Sequence, residues 1–87
     1  MEIKDLRNEI DKIDGELTTL FKKRMETAAA IAAYKKENNL PVYDKAREDF
    51  LINKNTNYIK DENLKDHYKK FLVSLMDISK DYQKENM

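Results

Sequence analysis

Apolar residues recur at Ile3, Leu6, Ile10, Ile13, Leu17 and Leu20 in unbroken steps of three and four. That spacing writes one apolar stripe on an α-helix. No proline interrupts it, and its single glycine, Gly15, costs only about 1 kcal/mol relative to alanine. The pattern predicts a helix from about residue 3 to residue 37, closed by Asn38, Asn39 and Pro41. At position 24 the stripe meets Arg24, continues through Ala28 and Ile31, and has Lys35 beside its end. Two cations therefore stand where the periodicity asks for apolar side chains.

Beyond that helix, Leu40–Tyr43 reads as a short extended link, and Asp44 as the N-cap of a second helix carrying Arg47, Glu48, Phe50, Leu51 and Ile52. The polar run Asn53–Asn57 should weaken this helix, with its end near Tyr58 and Ile59. Asp61-Glu62-Asn63 reads as a turn and cap. A third helix then shows Leu64, Tyr68, Phe71, Leu75, Ile78 and Tyr82, which predicts its apolar stripe. A neighbouring row, Leu72, Met76, Ser79 and Gln83, begins apolar and becomes polar. The expectation is an all-α chain of three helices, long, short and long, forming a single domain over residues 1–87.

A helix over residues 3–37 would be about 50 Å long, whereas a compact globule of this chain length has a radius of gyration of about 12 Å. The helix would overhang its own domain with part of its stripe uncovered, so an intertwined helical homodimer is expected. A kink at Asp14-Gly15 is the alternative. The three-four spacing passes through Gly15 in phase, which disfavours it.

Composition narrows the function classes. The 87 residues include 17 basic and 17 acidic side chains, so the basic excess of a nucleic-acid binder is missing. An anionic ligand would have to be met by local placement of cations. There is no cysteine, which removes thiol catalysis, cysteine-based zinc sites and disulfides, and suits a reducing compartment. No run approaches the roughly 18 apolar residues of a membrane span. A soluble cytoplasmic protein is expected.

Arg24 and Lys35 are eleven residues apart, three helical turns with about 20° of drift. They share a face, with small Ala28 between them leaving room for a ligand. Buried cations are costly unless paired. Either they pair with Glu48 or Asp44 as structural ion pairs, or they await an anion. Arg7 precedes Arg24 by seventeen residues, so it lies about 25 Å away along the axis and about 100° round it. It reaches no small site shared with Arg24 of its own helix; an antiparallel partner's N-terminus would bring a second Arg7 there. Ser79 and Gln83 form an i, i+4 pair, read either as ordinary exposed polar residues or as neutral hydrogen-bonding groups. His67, the only histidine, reads as a surface residue. No glycine-rich phosphate loop, serine nucleophile with its base, or metal-ligand spacing is present.

Leu6-Arg7-Asn8-Glu9-Ile10-Asp11-Lys12-Ile13-Asp14, followed by Arg24, Lys35, Pro41-Val42-Tyr43-Asp44 and Arg47-Glu48, closely resembles the all-helical class of chorismate mutase. The resemblance extends over essentially the whole chain and is most specific in its first half. It implies the [3,3] sigmatropic rearrangement of chorismate to prephenate, in phenylalanine and tyrosine biosynthesis. It implies no cofactor and no metal, a dicarboxylate substrate, and a homodimer with Arg7 donated across subunits. By the family pattern, Arg24 and the other subunit's Arg7 hold carboxylate oxygens, and Lys35 and Gln83 approach the ether oxygen of the breaking bond. Glu48 and the backbone at Asp44 address the ring hydroxyl, Arg47 stands beside them, and Ser79 lies near the ring carboxylate.

One departure concerns Lys80, which stands where some members carry an apolar residue. Either its stem packs while its head reaches solvent, or the register of the third helix differs. Two other functions fit parts of the pattern. An isochorismate-pyruvate lyase of the same fold would use similar cations on a similar dianion. A non-catalytic helical interaction module would leave Arg24 and Lys35 at the surface.

Overall fold

The computed structural model describes residues 1–86 and is all-α, so Met87, the last residue of the expected domain, lies outside the described residues. Helix α1 spans Ile3–Glu37, α2 Lys45–Thr56 and α3 Glu62–Glu85. Helix α1 continues through Gly15 as one element, so the helix does not fold back. At its start the Asp5 carboxylate accepts from the Glu2 N–H at 3.3 Å, and the Asp5 N–H donates to the Glu2 carbonyl at 3.0 Å.

The end of α1 is set by Asn39, whose φ of 55° lies in the left-handed region. A short polar side chain tolerates that region better than a bulky one. The turn directs the Leu40 N–H to the Lys35 carbonyl at 2.8 Å and the Asn39 N–H to the Lys36 carbonyl at 3.4 Å. These are the two bonds of a Schellman stop. The chain then reaches Asp44, whose Oδ1 accepts from the Arg47 N–H at 3.0 Å and starts α2 as expected. Helix α2 runs unbroken through Asn53–Thr56 and stops at Thr56, earlier than Tyr58 and Ile59. Packing overrides the weak propensity of this polar run: Thr56 is buried, and α2 lies against α3. Asp61 caps α3 through the Asn63 N–H at 2.9 Å.

Both α1 and α2 pack on α3. The core is small and lies at one end, where Met25, Ala28 and Ala32 of α1 meet Leu72 and Met76 of α3. Ala28 and Ala32 have no bulk beyond Cβ, so the two helices approach closely. Helix α3 forms where its apolar stripe predicts it, and the structure shows which of its two rows faces the same chain. Phe71 and Ile78 are exposed, while the neighbouring row of Leu72, Met76, Ser79 and Gln83 is buried. Helix α3 turns its smaller, mixed row toward its own chain and its large apolar row outward.

The first half of α1 is equally open, with Ile3 at 62%, Ile10 at 55% and Leu20 at 60% exposure. The molecule measures 54 × 26 × 15 Å, with a radius of gyration of 16.0 Å, against about 12 Å for a compact chain of this length. An apolar stripe and an apolar row both remain uncovered in the single chain.

Candidate functional site

The packed end of the molecule holds a partly open pocket of about 400 Å³, lined by residues from all three helices and the α1–α2 link. That volume falls within the range of small-molecule sites. Arg24, Ala28, Ile31 and Lys35 form the α1 wall, so both cations of the stripe open onto one space, as their spacing requires. Asp44, Arg47 and Glu48 line it from the start of α2, and Ser79, Lys80 and Gln83 from α3. Seven of the eight residues expected at the site are thus brought together. Arg7 is the eighth; it is exposed on the open half of α1, outside this lining.

The ion pairs that would have made Arg24 and Lys35 structural are not formed. Among the described residues, neither cation bridges to Glu48 or Asp44. Lys35 instead donates from Nζ to the Val42 carbonyl at 2.8 Å. Because the Lys35 carbonyl also accepts from Leu40, the link wraps around this residue and fixes where its ammonium stands. The Asp44 carboxylate is engaged in capping α2. Arg47 lies 5.4 Å over the Phe50 ring, a cation–π contact that braces its guanidinium at the pocket edge.

Ser79 and Gln83 are buried at 6% and 8% exposure, which excludes their reading as ordinary surface polar residues. The buried Oε1 of Gln83 has no hydrogen-bond partner among the described residues. An orphaned amide oxygen is unfavourable unless something else completes it, and here it lies in the wall of a pocket.

Lys80 is the residue that sequence reasoning placed least well. Its head, though partly exposed, is engaged by neighbouring side chains. Nζ lies 3.1 Å from Glu48 Oε2 and 3.4 Å from Asp77 Oδ1, and 4.7 Å from the centroid of the Tyr43 ring. The bond to Glu48 raises the Lys80 pKa above its ordinary 10.5, burial opposes that shift, and Asp77 adds to it. The pairing therefore contributes to stability below pH 10.5 and is lost as pH rises through the raised value. The sequence marked Lys80 as a departure from the resembled pattern beside Ser79, but gave no sign of its partners. The role of the Val42 carbonyl carried no signal at all, since every residue has one.

The lining groups hold four cations, Arg24, Lys35, Arg47 and Lys80, against the two carboxylates Asp44 and Glu48. An excess of positive charge suits a small polyanion, and the uncommitted amide oxygen suits a hydrogen-bond donor on it. Such a set positions and polarises a ligand; it contains no nucleophile paired with a base. No described helix is long and apolar enough to cross a membrane.

Three helices with a cationic pocket at their packed end define the class, and comparison with known proteins identifies it. Residues 6–84 match the chorismate mutase type II family, and the chain belongs to that family. It is 46% identical over 46 residues to the T-protein of Haemophilus influenzae, which covers 53% of this chain but only 12% of that protein. It is 30% identical over 77 residues to the 4-amino-4-deoxychorismate mutase of Streptomyces venezuelae, covering 88% of this chain and 72% of the relative. A solved structure of a conserved hypothetical protein from Pyrococcus furiosus superposes with a TM-score of 0.77 at 37% identity, covering 93% of each chain.

Proposed function

We propose that this chain is a chorismate mutase, converting chorismate to prephenate by a [3,3] sigmatropic rearrangement in aromatic amino-acid biosynthesis. The observation that carries the proposal is the pair Arg24 and Lys35, opening onto one pocket with no carboxylate partner among the described residues. Chorismate is a dicarboxylate and supplies the missing anions. Family membership supports the same reading.

In this rearrangement the ether C–O bond breaks as a new C–C bond forms, within one cyclic array of electrons. No proton is transferred and no covalent enzyme intermediate is required. The protein has two tasks. It holds the flexible substrate in the folded conformer that brings the reacting carbons together. It also presents fixed donors to the ether oxygen, which gains negative charge in the transition state. In our reading Lys35 and the Gln83 amide are those donors. Arg24 grips a carboxylate, Ser79 sits at the ring carboxylate, and Glu48 with the Asp44 backbone receives the ring hydroxyl. Arg47 reinforces the positive edge.

The pocket is completed by a second copy of the chain, which donates the partner subunit's Arg7. The uncovered stripe of α1 and the outward apolar row of α3 support an intertwined homodimer, because monomeric proteins rarely leave such faces open. We assign the activity to the cytoplasm, in keeping with the balanced charge and absence of cysteine.

Incubation with chorismate, followed by identification of the product, tests the proposal. Prephenate is expected. Release of pyruvate from isochorismate, with chorismate left unchanged, would establish the lyase reading in its place.

A further inference from the structure

Resting on that reading of the pocket, we infer that Lys80 is a specificity-determining residue: seated against Glu48, it selects a substrate whose ring bears a neutral hydroxyl over one whose ring bears an ammonium.

The Lys80 ammonium is held from three sides, by Glu48 of α2 at 3.1 Å, Asp77 of α3 at 3.4 Å and the Tyr43 ring of the link at 4.7 Å. Side-chain exposure is 24% for Lys80 and 21% for Glu48. The Lys45–Asp49 pair on α2 is a surface pair by contrast, at 72% and 53%. A charge fixed in a partly enclosed pocket is screened much less than one in open solvent.

The consequence follows from charge. Glu48 without a neighbouring cation would draw an ammonium group into the pocket. With Lys80 in place the Glu48 charge is offset, and a second ammonium enters a pocket whose lining carries the four cations Arg24, Lys35, Arg47 and Lys80 against the two carboxylates Asp44 and Glu48. A hydroxyl carries no such penalty. It needs only an acceptor, and a carboxylate has two oxygens with capacity beyond the one bond from Lys80. Discrimination of this kind works by repelling the wrong substrate as much as by holding the right one. The Streptomyces venezuelae relative, by its name, acts on 4-amino-4-deoxychorismate, which supplies the amine-bearing competitor.

The test measures kcat/KM for chorismate and for 4-amino-4-deoxychorismate with the wild-type chain, Lys80→Met, Lys80→Gln and Lys80→Arg. The wild type is expected to prefer chorismate. Both neutral variants should move the ratio toward the amino substrate by about tenfold or more, and Lys80→Arg should keep it within about twofold. If Lys80→Met does not fold by circular dichroism, Lys80→Gln, with its polar head, carries the comparison. Parallel loss on both substrates, an unmoved ratio, a wild-type preference for the amine, or an arginine variant that behaves like methionine overturns the inference. Failure of the wild type on both substrates overturns the chorismate mutase reading and this inference together. Turnover of chorismate with an unmoved ratio overturns this inference alone.

Discussion

Lys35 is where backbone and chemistry meet. Its carbonyl closes the end of α1, and its ammonium is tied to the Val42 carbonyl while opening onto the pocket. A donor fixed before the substrate arrives needs no reorganisation as charge develops, and loss of one such donor typically costs about 2.7–4 kcal/mol. Lys35→Ala is therefore expected to lower kcat by about a hundredfold or more. Its circular dichroism and sedimentation should match the wild type, because the helix stop uses the backbone of residue 35. Normal turnover by that variant would remove Lys35 from the mechanism. At this scale the sequence disclosed Arg24 and Lys35, because cations on an apolar stripe violate its period. It flagged Lys80 but not its contacts, which depend on how α3 is rotated against α2. Nor did it disclose the burial of Ser79 and Gln83, which follows from the same rotation.

Among the elements, α1 was legible almost to its ends because its stripe is long and its stop uses Asn39, a residue suited to a left-handed turn. Asp44 was likewise recognisable as a cap. Helix α3 was legible as a helix but not in its orientation. It carries two adjacent rows with apolar residues, and periodicity cannot say which one faces the same chain. The row with the larger side chains faces away, and the row that turns polar closes the pocket.

Gly15 offers a prediction belonging to α1 alone. It lies two residues from both Ile13 and Leu17, hence about 200° round the helix from the stripe, and a Cβ built there meets nothing within 4 Å. Gly15→Ala should stabilise the protein by about 1 kcal/mol and raise Tm by about 4–8 °C. Thermal unfolding followed by circular dichroism checks this. A fall in Tm would mean that a neighbouring surface packs on that side of the helix.

For the whole molecule the governing feature is unfinished burial. Its 54 Å length nearly equals that of α1, about 52 Å at the usual helical rise. Core residues occupy only the C-terminal half of that helix. This overhang was readable from helix length against chain length. The same feature leaves Arg7 away from the pocket of its own chain while exposing it on the half of α1 that a second copy would cover. In a symmetric dimer each site would then draw Arg24 from one subunit and Arg7 from the other.

Mixing Arg7→Ala with Arg24→Ala, each inactive alone, tests this sharing most directly. With free subunit exchange, half of the dimers carry both variants and one of their two sites is intact, so activity should return to about one quarter of the wild-type level. Mixed dimers shown to form yet remaining as inactive as their parents would contradict a site built across two chains.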